Sequence, residues 1–228
     1  MGSLTAAIVS GERDPGEVLP REEVLASEFQ VSRGVTREAI RALEERGLVT
    51  VRHGRGASVN PRSEWNLLDA DVLAAVLAAP QRPELLGEAI ECLGIVEGEG
   101  AALAAERADP EDHDVLDEGL GAMRDAAERS QVNPAARYDY QDAQLEFRRA
   151  LLRASRNTPL ARMAEPIEQA LALAGPPPPL QRLQPAVQEH QRILEAVANR
   201  QPDAARKAMQ DHVERRTAEL LDDDHAIA

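Results

Sequence analysis

The sequence predicts a mainly α fold, in which a small unit of short helices and one hairpin precedes an all-α helical bundle. Hydrophobic residues make up 43% of the 228 residues, but aromatic residues only 2%. Alanine loses the least entropy in a helix, whereas strands favour β-branched and aromatic residues. The hairpin signal is confined to two β-branched runs around Gly54 and Gly56, and from residue 67 onward the pattern is helical between prolines.

The N-terminal residues 1–62 contain the elements of a winged helix-turn-helix in the expected order. Residues 4–10 form the end of a short helix, and residues 21–29 form a two-turn helix with Val24, Leu25 and Phe29 directed inward. Ser32 can cap a second helix that runs to about Arg46, where Gly47 supplies a left-handed stop. The segment LVTVRHGRGASV then reads as two short strands joined by a turn.

The rest of the chain divides into a linker over residues 63–68 and a helical domain over residues 69–228. The Gly175–Pro179 tract is expected to be an extended connector, because proline cannot continue a helix. Helices are predicted over residues 69–79, 83–107, 110–129, 134–155, 158–174, 183–199 and 202–222.

The charge is distributed unevenly. The whole chain carries a net charge of −14, yet residues 1–62 hold nine arginines and nine acidic residues, so all of the excess negative charge lies beyond residue 62. A neutral N-terminal unit on an acidic body fits DNA contacts confined to one end. The single cysteine, Cys92, excludes an internal disulfide, and no signal peptide or membrane span is recognisable. We expect a cytoplasmic protein without membrane contact.

An arginine stripe marks the second helix of the helix-turn-helix. Helical spacing places Val35, Ala39, Ala42 and Leu43 on one side and Arg33, Arg37 and Arg41 on another. Such a helix suits the major groove of double-stranded DNA, where arginine pairs with guanine or phosphate. Ser32 and Thr36 on the leading turn could add hydrogen bonds. The alternative is an ordinary amphipathic helix whose arginines pair with glutamates of the same segment, Glu38, Glu44 and Glu45.

The hairpin tip favours the DNA-binding interpretation. Arg52, His53 and Arg55 surround Gly54 and Gly56, at a tip slim enough for wing contacts in the minor groove. The runs LASEFQVSRGVTREAIRALEERGLVTVRHGRGASV and the preceding Leu19-Pro20 resemble the GntR-type winged helix. The resemblance implies DNA contacts by Arg33, Thr36, Arg37, His53 and Gly54. The sequence departs from the family pattern at Glu23, where the family usually has an arginine. Either Arg21 makes the DNA contact of that arginine, or the operator sequence differs from the usual one.

The C-terminal half resembles the FadR branch of that family, whose helical FCD-like domain holds a ligand and often a metal. The runs that carry the resemblance include FRRALLRASRN and the segment from His190 to His212. In that branch an Asp and a His four residues apart, with two later histidines, bind the metal. Here His190 and His212 match the later ligands, but the first pair is replaced by Gln144 and Arg148.

These replacements predict loss of the metal site, because a permanently charged guanidinium repels a cation. Gln144, Arg148, His190 and His212 would instead line a polar pocket for an anion, since a guanidinium fork pairs well with a carboxylate. The alternative is that Arg148 pairs with Glu146 or Glu189 and both histidines are core residues. No cofactor is expected; a divalent metal such as zinc, held by His190 and His212, remains the alternative.

The identity of the effector is only indicated by the sequence. A second family arginine, on the first long helix, is replaced by Leu93, which suggests a rebuilt pocket. The junction W65-NLLDADVL resembles that of regulators that respond to sugar acids, although Trp65 could equally anchor the linker against a domain surface. We therefore expect the effector to be a small anionic metabolite, for example a sugar acid.

The sequence predicts a transcriptional regulator that binds specific DNA sequences as a homodimer. We expect it to act as a repressor on a palindromic operator. An enzyme built on a metal–carboxylate bundle would need Glu-x-x-His repeats. His190 and His212 instead have Val187 and Met209 three residues earlier, and no catalytic motif is present, so an enzyme is not expected. The remaining alternatives are a metal-dependent sensor of the same family and a degenerate regulator acting through protein contacts.

Overall fold

The computed structural model describes residues 2–52, 54–79, 83–174 and 177–227 and contains two compact units, residues 1–82 and 83–228. The mainly α fold predicted from the sequence, a winged helix-turn-helix followed by a helical bundle, is confirmed. Within these residues no helix is both long and apolar enough to span a membrane. The first unit contains α1 (Gly2–Ser10), α2 (Glu22–Glu28), α3 (Arg33–Glu45), β1 (Val49–Arg52), β2 (Gly56–Val59) and α4 (Ala70–Leu77).

Local signals fix the ends of α3 as the sequence predicts. Ser32 caps the helix by accepting a hydrogen bond from the Val35 amide at 3.3 Å. Gly47 ends it with φ of +72°, and a β-carbon there would lie 2.2 Å from the Glu64 carbonyl oxygen. Both the backbone conformation and the space therefore require glycine.

The wing is a two-stranded antiparallel hairpin, in which Val49 pairs with Val59 and Arg52 with Gly56. Asn60 holds the hairpin to the end of α3, because its side chain accepts from Thr50 Oγ1 at 2.7 Å and donates to the Gly47 carbonyl at 2.9 Å. Trp65 is buried and donates its indole N–H to the Asn60 carbonyl. Trp65 thus anchors the segment after the wing to the first unit.

The segment assigned from the sequence to the linker and the start of the helical domain packs with the first unit. Asp69 caps α4 and accepts a hydrogen bond from the Arg46 guanidinium. The helix then buries Val72, Leu73 and Val76 and packs against α1. This packing extends the first unit about twenty residues beyond position 62.

The second unit is a bundle of six long helices among the described residues. Helix α5 contacts α7, α8, α9 and α10, while α6 packs against α7 and α9. The observed bounds follow the predicted segments closely, with two larger differences. Helix α9 begins three residues early, directly after the extended Pro179, and the last helix continues to Ile227, five residues beyond its predicted end. The six helices are α5 (Pro83–Arg107), α6 (Pro110–Ser130), α7 (Ala136–Ala154), α8 (Thr158–Ala174), α9 (Leu180–Ala198) and α10 (Pro202–Ile227).

Candidate nucleic-acid interface and buried effector cluster

The arginine stripe on α3 is exposed. Arg33 and Arg41 retain 73% and 69% of their side-chain surface, and Arg37 is also exposed. Arg41 pairs with Glu45 at 3.3 Å, as the ordinary-helix alternative expects. Arg37 makes no ion pair or hydrogen bond among the described residues. Among the described residues, Arg37 at the centre of the stripe is therefore an arginine that is not engaged in an internal ion pair.

The buried face of α3 differs from the predicted one. It consists of Thr36, Ala39, Ile40 and Leu43, whereas Val35 is 56% exposed. Thr36 is only 3% exposed, and its hydroxyl donates to the Ser32 carbonyl at 3.3 Å. Because that hydroxyl is satisfied inside the helix, Thr36 packs inward, and its prediction as a DNA contact is corrected.

The inward direction predicted for two residues of α2 is also wrong. Leu25 is fully buried, but Val24 is 54% exposed and Phe29 is 37% exposed. The helix is only seven residues long, so α3 covers one narrow face of it.

The other predicted DNA contacts lie at element ends. Arg21 is exposed immediately before α2, and Ser32 is exposed although its hydroxyl caps α3. Gly54 and Arg55 are exposed at the wing tip, where Gly54 adopts φ of +79°. His53 lies outside the described residues. The exposed side chains of α3 and the wing tip thus belong to one compact unit.

Glu23 occupies the position where the resemblance leads us to expect an arginine. Its carboxylate lies 3.5 Å from the Arg33 guanidinium, and both side chains are more than half exposed. An exposed pair of this kind contributes little to stability. We expect a larger effect on DNA binding, since the carboxylate partly neutralises an arginine that is predicted to contact DNA.

We expect Glu23→Arg to increase affinity for DNA, because it frees Arg33 and adds a cation. The slope of log affinity against log salt should become steeper by about 0.9 for each added phosphate contact. Fluorescence anisotropy with duplex DNA at several salt concentrations measures both quantities. Glu22→Arg, one residue earlier on the same helix, is the charge-matched control. An equal effect of both variants would contradict a specific role for Glu23.

In the second unit, the four residues predicted to line a pocket are all buried. Gln144 is 6% exposed, Arg148 2%, His190 0% and His212 3%. Gln144 and Arg148 lie one turn apart on α7, His190 lies on α9 and His212 on α10. The rings of His190 and His212 are 4.4 Å apart between centroids. Three helices thus bring Arg148 and the two histidines together.

The hydrogen bonds define how each histidine is protonated. His212 Nδ1 lies 2.6 Å from Glu189 Oε2, and His212 Nε2 lies 2.8 Å from Arg148 Nη2. Since a guanidinium only donates, His212 Nε2 must accept and Nδ1 must carry the proton. His190 Nδ1 donates to the Ala186 carbonyl, which leaves its buried Nε2 as an acceptor that has no partner among the residues described. Burial, more than the neighbouring positive charges, lowers the pKa of both rings well below the usual value.

Arg148 pairs with a residue that the sequence analysis did not identify. Its Nη1 donates to Glu97 Oε1 on α5 at 3.2 Å. The partners considered from the sequence are engaged elsewhere: Glu146 with Arg149, and Glu189 with His212 and Arg215. The internal ion pair of the alternative interpretation therefore exists, but with Glu97.

Glu168 on α8 adds a second buried carboxyl beside Glu97. It is 2% exposed, and neither of its oxygens has another hydrogen-bond partner among the described residues. Burial and the neighbouring Glu97 raise the pKa of Glu168 to about 9. At neutral pH Glu168 is thus protonated and can donate a hydrogen bond.

This raised pKa predicts a pH-dependent stability. Because the pKa is higher in the folded chain than its ordinary 4.5, the stability that depends on the protonated carboxyl is fully present below pH 4.5. It is lost progressively as the pH rises toward 9. We therefore expect Glu168→Gln to gain stability relative to the wild type as pH rises through this window, measured by urea denaturation. Glu165→Gln, three residues earlier and part-exposed, is the matched control for replacing a carboxyl by an amide. A stability difference for Glu168→Gln that does not change with pH would contradict the raised pKa.

The four residues that correspond to the family's metal ligands do not fit a metal here. The guanidinium of Arg148 occupies the acceptor atom of His212, and it would bring a fixed positive charge beside any cation. Among the described residues no group of three or more His, Cys, Asp or Glu side chains is arranged to hold a metal ion.

A small cavity adjoins Gln144 and Arg148 of the cluster, but its lining does not include His190 or His212. It measures about 20 Å³, which is room for one water molecule. Sequence reasoning missed Glu97, Glu168 and Arg216. Their signal was a charged residue within a buried helical stripe: Glu168 lies between Ile167 and Leu171, both buried. The cavity is lined by Gln141, Gln144, Leu145, Arg148, Glu168, Ala172 and Arg216.

Comparisons with known proteins agree with both units. Residues 1–59 match the family described as bacterial regulatory proteins, gntR family, and residues 88–215 match the FCD domain. The chain is 32% identical over 222 residues to the galactonate operon transcriptional repressor of Escherichia coli K12, covering 90% of this chain and 88% of the repressor. It is 29% identical over 216 residues to the regulator LutR of Bacillus subtilis 168, covering 90% and 92%.

Solved structures show the same fold. A GntR protein of Streptococcus agalactiae aligns with a TM-score of 0.56 at 23% identity, over 96% of this chain and all of that one. The Listeria monocytogenes protein Lar aligns with a TM-score of 0.62 at 21% identity, over 96% and 95%. The matched families and relatives are transcriptional regulators, so the prediction of a regulator and not an enzyme is confirmed. The chain belongs to the gntR family of DNA-binding bacterial transcriptional regulators, and an FCD domain follows its winged helix in the sequence.

Proposed function

We propose that this protein is a cytoplasmic, homodimeric repressor that releases a palindromic operator when a small carboxylate enters the buried cluster of Gln144, Arg148, His190 and His212. The winged helix supplies the DNA contacts through the exposed arginines of α3 and the wing. The helical domain supplies the effector site. The observation that carries this proposal is the buried guanidinium of Arg148, near which several buried polar atoms have no hydrogen-bond partner among the described residues.

Buried polar atoms in proteins are almost always hydrogen-bonded, so a group of unpaired ones calls for a partner. Around Arg148, the atoms that have no hydrogen-bond partner in the described part of the chain include its own Nε, His190 Nε2 and the hydroxyl of Tyr140. Glu97 Oε2 and both oxygens of Glu168 add further ones. Together they offer donors and acceptors to one ligand that carries a carboxylate and several hydroxyls.

Arg148 takes the place of the metal in this proposal. Its guanidinium donates to the His212 atom that would otherwise face a cation. A carboxylate can then bind a fixed positive charge directly, with the directional fork that favours carboxylates. Arg216 adds a second cation at the cavity, and burial lowers its pKa only to about 10, so it stays charged at neutral pH.

A sugar acid is the effector class that we favour. It combines one carboxylate for Arg148 and Arg216 with hydroxyls that Gln144 and the protonated Glu168 can bind. The relatedness to the galactonate operon repressor supports this choice. The cavity of about 20 Å³ is too small for a six-carbon acid. Binding therefore requires α7, α8 or α10 to shift, and such a shift can be transmitted to the DNA-binding units of a dimer.

A thermal-shift assay with D-galactonate tests the proposal, with neutral D-galactose as the matched control. We expect galactonate to raise the melting temperature and to release the protein from a DNA duplex selected from a random library by the wild-type chain. Galactose should do neither, because it lacks the carboxylate. The proposal of a carboxylate effector fails if neither galactonate nor a panel of other sugar acids and simple carboxylates shifts the melting temperature.

The same assay, repeated after dialysis of the protein against a chelator, tests whether Arg148 binds the effector in place of a metal ion. The galactonate shift should persist, since no step depends on a metal. One tightly bound zinc per chain in the purified protein, or loss of the shift on chelation, would contradict the role given to Arg148.

A further inference from the structure

An arginine-lined cleft lies between α7 and α8, outside the cluster described above. Its volume is about 560 Å³. The positive charge of its lining contrasts with the net charge of −14 of the whole chain. The cations are Arg149, Arg153, Arg156 and Arg162; the acidic residues are Glu165 and Glu168. Because Glu168 is protonated at neutral pH, four positive charges face a single negative one.

The four arginines differ in how far they are neutralised. Arg156 pairs with Asp109 and Asp112, Arg162 with Glu165, and Arg149 with Glu146. Arg153 is exposed and has no ion pair among the described residues. It is therefore the cation of the cleft that is available to an incoming anion.

Glu168 connects this cleft with the buried cavity. It is the residue that lines both, with Arg149 on the cleft side and Arg148 on the cavity side. The positive charges of Arg148 and Arg149 both act on Glu168, opposing the rise of its pKa. Its carboxyl is 2% exposed and has no hydrogen-bond partner among the residues that the structure describes, so it can donate a hydrogen bond to an anion in either space.

We propose that the arginine cleft is an anion-binding vestibule, from which a small carboxylate passes Glu168 to reach the cavity at Arg148. A cleft lined by one sign of charge raises the local concentration of the opposite ion and its rate of entry. Arg153 collects the anion, and Glu168 provides a neutral donor on the way inward. The inference rests on the proposed anionic effector, but it concerns the route and not the identity of the ligand.

Charged thiol reagents test this route without any knowledge of the effector. In a Cys92→Ser background, Ala161→Cys places a thiol in the cleft and Ala172→Cys places one at the cavity. Each is reacted with an anionic methanethiosulfonate carrying a sulfonate and with its cationic trimethylammonium counterpart. Arg153→Glu is added to each variant. Arg192→Glu on α9 serves as the control, because Arg192 is also exposed and has no ion pair within the part of the chain that the structure describes.

At low salt we expect the thiol at position 161 to react faster with the anionic reagent, and Arg153→Glu to reduce that rate by about three- to tenfold. Arg153→Glu should also slow the anionic reaction at position 172, whereas Arg192→Glu should change neither rate. The vestibule is overturned if Arg153→Glu leaves the rate at either position unchanged. It is equally overturned if the introduced thiol at either position, in the folded protein, resists both reagents, as it would where a second chain covers the cleft.

These outcomes are separate from those of the proposed function. If the protein binds no sugar acid but its thiols react as expected, the anion route is supported and the proposed effector class is wrong. If it binds galactonate but the thiol reactions do not depend on Arg153, the effector is supported and the proposed route is wrong.

Discussion

Replacing Arg148 by methionine is expected to lower the free energy of unfolding of the helical domain by about 3–5 kcal/mol. Methionine has a similar length, so little volume is lost. Glu97, which is 1% exposed, would lose the guanidinium that compensates its charge. Removing one partner of a buried ion pair leaves an unpaired charge in a medium of low polarity, and that is more costly than the pair itself is stabilising.

Urea denaturation followed by circular dichroism measures this loss, since the helices of the second unit provide most of the signal. Arg149→Met is the matched control, one residue later on the same helix. Arg149 pairs with Glu146 near the surface, so its replacement should cost less than about 1 kcal/mol. Similar effects of the two substitutions would show that Glu97 does not depend on Arg148.

A companion variant separates stability from effector recognition. Arg148→Lys keeps a positive charge near Glu97 but cannot donate with the planar fork of a guanidinium. We expect it to recover part of the stability lost in Arg148→Met, yet to lose the thermal shift with galactonate. Recovery of the full shift would mean that charge alone, without the fork, binds the carboxylate.

The parts of the fold that depend on local signals could be predicted from the sequence. The cap at Ser32 and the left-handed stop at Gly47 act within a few residues, and proline and glycine mark the ends of the later helices. The buried face of α3 could not be predicted as well. Hydrophobicity favoured Val35 over Thr36, although the Thr36 hydroxyl is satisfied by the backbone of its own helix and can be buried at low cost.

The candidate effector cluster was predictable only in part, for a different physical reason. The resemblance supplied Gln144, Arg148, His190 and His212, because their positions along single helices are fixed by the family pattern. The partner of Arg148 lies 51 residues away on α5, and no local rule connects them. Glu168 could have been suspected as a charged residue in a buried stripe, but its position beside Glu97 depends on how α5 and α8 pack.

Replacing Arg37 by alanine is expected to weaken binding to the selected operator duplex by about 1–3 kcal/mol, that is, by about 5- to 150-fold. Arg37 lies in the N-terminal half of α3, the part of a recognition helix that contacts base edges. Its guanidinium is exposed and has no ion pair among the described residues, so no internal bond must be broken for it to bind DNA.

Arg41 provides the comparison on the same helix. It lies one turn later and is already paired with Glu45, so Arg41→Ala should weaken binding less. Fluorescence anisotropy with the selected operator and with a scrambled duplex distinguishes the two roles. Arg37→Ala should reduce the preference for the operator, because a base contact is lost, whereas loss of a phosphate contact weakens both complexes alike. An equal decrease for both duplexes would place Arg37 on the phosphate backbone and leave the reading of bases to other side chains of the unit.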